Sequence, residues 1–273
     1  MAGVVTRNAE ELAWPEFESG HYEVKSATGQ VEDPHPDSTS LITCFADTAA
    51  AETAPELVAV DSEGREATAD HPELDAGRVC PTADPYREGL LETIEDAAGV
   101  TPNVRLDEVG FPGPAFCSCE RCERRFAESD HDDREDWRAG VVAEFVTAAR
   151  ERVPGNLLVT LHPDPYPGHV RRYSGVDPHA LDADGFVVPL YDTTYDTTYW
   201  VESLAAGFSD ELDAPLAVEL FAAEPEVENL SEAYRAAAKH ADTVLFGYGS
   251  SNARAVLRRA DAESRPGRSF GAE

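Results

Sequence analysis

Short apolar runs punctuate the chain at residues 3–6, 22–25, 41–46, 104–109, 157–161, 186–190, 216–221 and 243–248. Runs of this length, apolar at successive positions, are those of strands buried on both faces, as in parallel sheets. Each of the later runs is followed by helix-compatible sequence. The clearest helix places Trp137, Val141, Phe145, Ala149 and Val153 at helical spacing before Pro154 and Gly155 stop it. Upstream, Asp84 reads as an N-cap, Pro85 as the first helical residue, and Gly99 as the close of a helix through Leu90, Leu91 and Ile94. Residues 57–60 and the turn Asp61-Ser62-Glu63-Gly64 read as a hairpin excursion outside the repeating pattern.

Eight strands with intervening helices predict an α/β chain of the (β/α)8 TIM-barrel class, a single domain over residues 1–273. The pattern is weakest before Leu41, where Pro, Asp and Ser are frequent. A doubly wound open sheet is the rival topology, but no G-x-G-x-x-G follows an early strand to support a nucleotide-binding fold.

In a parallel barrel the active-site face lies at the C-terminal ends of the strands. Glu108 lies near the end of the fourth run and Glu219 near the end of the seventh, so both would face one cleft. Two such carboxylates can divide labour, one held protonated as an acid and one ionised as a nucleophile. Other strand ends offer His162, Tyr191 and Tyr248, and Trp200 offers an aromatic face on which a ligand could stack. A lone strand-end His or Tyr is more often a hydrogen-bonded structural residue than a catalytic one. Trp14 and Trp137 read as packing residues, and Asp164, Glu224 and Glu226 as solvated loop acids.

Charge changes the picture of partners. The formal net charge of -31, from 53 acidic and 22 basic residues, argues against nucleic acid and anionic membranes, both of which demand clustered cations. Lys25 and Lys239 are the only lysines, and the acids are spread along the whole sequence, as in proteins adapted to high salt, where counterions screen self-repulsion. No stretch approaches the ~20 apolar residues of a membrane span, and the N-terminus lacks the pattern of a secretion signal, which places the protein in the cytoplasm.

Cytoplasmic thiols stay reduced, so clustered cysteines there point to a metal before a disulfide. Cys117-x-Cys119-x2-Cys122 supplies three soft ligands, and Cys80, before Pro81, is the candidate fourth. Four thiolates make a closed tetrahedral Zn2+ site, which would be a structural zinc knot in the loop after the fourth strand. Cys44, in an apolar run, reads as a small core residue.

These residues together resemble the catalytic barrel of glycoside hydrolase family 42, the β-galactosidases, and its wider set of related glycosidases. The resemblance rests on a carboxylate at the end of the fourth strand followed by C-x-C-x2-C and Phe126, on the upstream Cys80-Pro81, and on a glutamate ending the seventh strand. It implies a retaining glycoside hydrolase acting on a carbohydrate, with Glu108 as acid/base, Glu219 as nucleophile and Cys80, Cys117, Cys119 and Cys122 as zinc ligands. Resemblance to the same clan suggests that Tyr191 orients the nucleophile.

Two features depart from the family. Asp107 stands where the family has an Asn that hydrogen-bonds the sugar 2-hydroxyl, and the chain is far shorter than a full member. Both fit a second reading, a carbohydrate-binding or scaffold barrel that keeps the zinc site without hydrolysis. A third, a zinc-finger interaction module, is disfavoured by the negative charge and the single cluster.

Overall fold

All eight expected strands form, and they close on one another in sequence order in a computed structural model that describes residues 1–264. Residues 265–273 of the expected single domain lie outside the described residues. The strands are β1 Ala2–Thr6, β2 Ser19–Lys25, β3 Thr39–Thr43, β4 Val104–Asp107, β5 Leu157–Thr160, β6 Gly185–Pro189, β7 Leu216–Phe221 and β8 Thr243–Gly247. Every neighbouring pair is parallel, and β8 returns to β1 with Val4 opposite Phe246, so no strand edge is left open.

Helices α1 Ala9–Leu12, α2 Thr48–Thr53, α3 Asp84–Val100, α4 Glu120–Ala127, α5 Arg134–Arg150, α6 Pro167–Ser174, α7 Tyr199–Glu211, α8 Val227–Ala237 and α9 Ser250–Ser264 surround the barrel. Two boundaries differ from the sequence reading. Ala83, not Asp84, occupies the cap position of α3, without a side-chain cap bond, and Pro85 falls one residue deeper in the first turn. At the other end α3 runs through Gly99 to Val100, because Thr101 N still reaches the Ala97 carbonyl. No helix among the described residues is long and apolar enough to cross a membrane.

The period of two along each strand sorts the side chains. Ile42, Leu106, Val159, Val188, Val218, Leu220, Val244 and Phe246 join the buried cluster between barrel and helices. The α5 residues Trp137, Val141, Val142 and Phe145 join the same cluster from the helix layer, and each large side chain so buried contributes roughly 1.5–3 kcal/mol. The alternate positions turn toward the barrel axis. There the pattern is polar: His21, Arg105, Asp107, Thr160 and Glu219 stand among Leu41, Val187 and Leu245.

The excursion between α2 and α3 is pinned by isolated bridges, Val58 to Val79, Val60 to Glu66, Ala46 to Arg78 and Asp61 to Phe116. Asp61 anchors it from within. Its carboxylate accepts from Glu63 N and Arg65 N, both at 2.8 Å, and pairs with Arg65 Nε at 2.6 Å. The excursion thereby lies between the mouth of the barrel near β3 and β4 and the loop that carries three of the cysteines.

Candidate active site

Glu219 lies inside β7, opposite Pro189 on one side and Leu245 on the other, and is 1% exposed. A buried carboxylate persists only when paired and hydrogen-bonded, and both oxygens are engaged. Tyr191 donates its hydroxyl to Oε1 at 2.6 Å, and Arg105 Nη1 forms an ion pair with Oε2 at 2.6 Å. Gly247 leaves the room for this carboxylate: a Cβ there would come within 2.5 Å of Oε1. The Tyr191 ring is exposed at the mouth while its hydroxyl points inward. Burial, and then the charge of Glu219, push that hydroxyl well above the usual phenol range, so it remains a donor.

Arg105 is the residue that joins the strands. Its Nε donates to Thr160 Oγ1 at 2.9 Å while its Nη1 reaches Glu219, which ties β4 to β5 and β7 across the axis. Burial alone would pull Arg105 down, but the charges of Glu219 and Asp107 outweigh it and hold the guanidinium above its ordinary value. His21 sits nearby in β2, and burial, with Arg105 adding to it, pushes the imidazole down to about 3. It is therefore a neutral ring at any physiological pH.

Asp107 and Glu108 point to different neighbours. Asp107, two residues after Arg105 on the same strand face, is raised above the usual carboxylate range by burial; Arg105 opposes this and Glu219 adds to it. Glu108 follows the end of β4 in a left-handed conformation, φ 50°, with its carbonyl accepting from Phe45 N at 3.0 Å. This turn sends its half-exposed side chain to Arg78, whose Nη1 is 3.4 Å from Oε2. Burial of the carboxyl group and then Asp107 push Glu108 up to about 7, with Arg78 pulling the other way.

A cavity of about 530 Å3 opens over Asp107 and Glu108 and is lined also by Arg78, Thr160, His162 and Tyr173. His162 stacks on Tyr173 with ring centroids 4.6 Å apart, and its partial burial lowers its pKa. A second cavity, about 590 Å3, opens over β1, β2 and β8, with Arg7, Glu23 and Tyr248 on its walls. Tyr248, exposed and with φ 66°, meets Tyr191 edge-on at 6.1 Å, while Tyr191 and Glu219 themselves line neither cavity.

Trp200 is placed otherwise than expected. Its ring is stacked on buried Tyr195 at 6.2 Å and packs against the core, and it lines neither cavity, so that face is not free for a sugar. Arg105 and Arg78 were absent from the sequence reading. For Arg105 a signal existed: a charge in an otherwise apolar strand, two positions before a strand-end acid, must share its face. Arg78 gave none, because only the folded excursion carries it to Glu108.

The cysteines come together. The sulfurs of Cys80, Cys117, Cys119 and Cys122 all lie within 4.8 Å of one another, and none is in a disulfide. Sulfur–sulfur edges of about 3.8 Å follow from zinc–sulfur bonds of about 2.3 Å in a tetrahedron. Cys80 Sγ is 3.9 Å from Cys119 Sγ and 3.3 Å from Cys122 Sγ, close to that shape. Around them Val60 N donates to Cys117 Sγ at 3.3 Å, and Thr82 Oγ1 lies 3.2 Å from Cys80 Sγ and 3.3 Å from Cys122 Sγ. Four soft donors with such outer contacts fit a metal ion. Cys44 stands apart, fully buried, as expected of a core thiol.

No protein-family model matches the sequence, and no curated protein matches it. Among solved structures, α-L-fucosidase isoenzyme 2 from Paenibacillus thiaminolyticus superposes with a TM-score of 0.66 over 93% of this chain at 14% identity. This chain spans 45% of that enzyme's length. The GH53 catalytic domain of Ignisphaera aggregans matches with a TM-score of 0.44 at 10% identity, over 85% of this chain and 74% of that one. For the β-N-acetylhexosaminidase of Bacteroides fragilis the values are 0.47 and 9%, over 80% of this chain and 50% of that one. The likeness to the fucosidase establishes a shared barrel fold; sites and chemistry are argued from the residues.

Proposed function

We propose that this chain is a retaining glycoside hydrolase with Glu219 as nucleophile and Glu108 as acid/base, as its resemblance to family 42 implies. The supporting observation is the setting of Glu219, a carboxylate sealed from solvent whose two oxygens are held by Tyr191 and Arg105, with Asp107 close enough to feel its charge and Glu108 next along the chain. In such a mechanism the protonated Glu108 carboxyl gives its proton to the glycosidic oxygen as Glu219 attacks the anomeric carbon. Water, deprotonated by the same Glu108, then releases the sugar from the glycosyl-enzyme. Asp107 occupies the place of the family's asparagine. Burial raises its pKa, in the direction of the protonated form, and a protonated carboxyl would offer a 2-hydroxyl an O–H donor where the amide would offer N–H.

Cys80, Cys117, Cys119 and Cys122 would hold Zn2+ with all four positions taken, which stabilises the loop after β4 and leaves no site for chemistry on the metal. Carbohydrate is the partner this reading requires, with His162, Tyr191 and Tyr248 lining its approach. The excess of acids and the clustered free thiols support, within this reading, an enzyme of the cytoplasm of a salt-adapted cell.

Glu219→Gln should abolish turnover of an activated aryl glycoside in molar KCl under conditions where circular dichroism shows the less stable variant still folded; unchanged turnover removes Glu219 from the mechanism. A barrel that binds carbohydrate without cleaving it is favoured by the Arg78 ion pair on Glu108 and by Asp107 itself. Calorimetric binding of sugars with no turnover across a panel of aryl glycosides would select that reading.

A further inference from the structure

The catalytic residues leave one group of cations unused. Arg134, Arg138 and Arg172 line a hollow of about 420 Å3 on the other side of the segment that carries Tyr173, together with Ser62, Ser118 and Glu135. Arg138, on α5, is 3% exposed, yet among the described residues its guanidinium makes no ion pair with a carboxylate. Its Nη1 donates to the Arg172 carbonyl at 3.0 Å, and its Nη2 to those of Gly113 and Tyr173 at 2.9 Å. Its Nε has no partner.

Buried arginines are normally paired, because carbonyl dipoles satisfy donors without supplying a counter-charge. The cation lies over the Phe111 ring at 4.7 Å, which relieves part of the cost. Burial, reinforced by Arg134, pushes Arg138 down to about 10. The carboxylates at hand are already engaged: Glu135 by Arg172 at 3.3 Å, and Glu123 by Arg134 at 2.8 Å. In a chain of formal charge -31, three guanidiniums against the single carboxylate of Glu135 around one concavity, with two serine hydroxyls, are a local reversal of sign.

We propose that this hollow binds a small tetrahedral oxyanion, phosphate or sulfate, free or carried on a sugar. Guanidinium forks match such oxygens in bidentate fashion, and the serine hydroxyls supply further donors. The site stands independently of the catalytic reading. It shares a wall with the catalytic cavity, since Arg138 holds the carbonyl of Tyr173, whose ring stacks on His162.

The test is titration of the whole chain with inorganic phosphate and, separately, a hexose 6-phosphate, following the melting temperature at ionic strength held constant with KCl. Saturable stabilisation by either ligand is expected, and tighter binding of the hexose phosphate would identify the carried form. Arg172→Ala, which alters a side chain that is 66% exposed and should leave the fold intact, should weaken binding by about tenfold, the loss of a charge-assisted hydrogen bond. A rise that never saturates, or one that Arg172→Ala leaves unchanged, would overturn the proposal.

Discussion

Arg105→Met should destabilise the barrel far more than an ordinary surface change, and a second substitution should reverse most of the loss. Arg105 and Glu219 side chains are each 2% exposed and lie 2.6 Å apart, so methionine keeps much of the stem's bulk while stranding the carboxylate. Breaking a buried pair from one side costs about 3–5 kcal/mol. The Thr160 hydroxyl, which accepts from Arg105 Nε at 2.9 Å, loses a partner, at about 1 kcal/mol. In a chain of this size each kcal/mol lowers the melting temperature by about 2–4 °C, giving a drop of roughly 8–24 °C. Adding Glu219→Gln removes the stranded charge, so the double variant should recover about 2 kcal/mol or more relative to Arg105→Met. Urea unfolding in molar KCl measures all three variants against the parent. If Arg105→Met falls within about 0.5 kcal/mol of the parent, the level of an ordinary surface change, or if the single effects simply add, the two charges are not a buried pair and the axis is not built as described.

Three further outcomes follow from the same residues. Arg78→Met removes the cation that opposes the rise of Glu108 to about 7, so the alkaline limb of the pH–rate profile should move to still higher pH; a stationary limb would separate Arg78 from the titrating group. Asp107→Asn should retain turnover, and because a carboxyl raised by folding loses stability as pH climbs from the unfolded value through the folded one, the variant's stability advantage should grow with pH. Parallel pH–stability curves for parent and variant would contradict the raised Asp107. Protein purified without chelator should carry one zinc per chain by elemental analysis, and Cys119→Ser or prolonged chelation should lower the melting temperature; a metal-free chain with an unchanged melting point would rule out the knot.

Much of the architecture was readable before any coordinates. The seventh strand was delimited to the residue, and the others to within a few, because apolar runs separated by helical stretches leave few ways to bury both faces of a strand. Cys80 was likewise assignable to its distant partners, since three thiols at close spacing call for a fourth. Side-chain direction was harder. Asp107 and Glu108 are adjacent letters, but the left-handed turn at Glu108 sends one carboxyl toward Glu219 and the other toward Arg78. Trp200 looked available for stacking until Tyr195 was found against it.

The division has a physical cause. Hydrophobic period, helix punctuation and cysteine spacing are local properties that every strand or helix must express in its own residues, so the sequence alone determined a parallel eightfold barrel with a thiol cluster after β4. The partners of each charge were decided by tertiary structure. Arg105 meets Glu219 across 114 positions of chain, and Arg78 meets Glu108 through a bridged excursion, because closure of the barrel sets those distances and no local pattern records them.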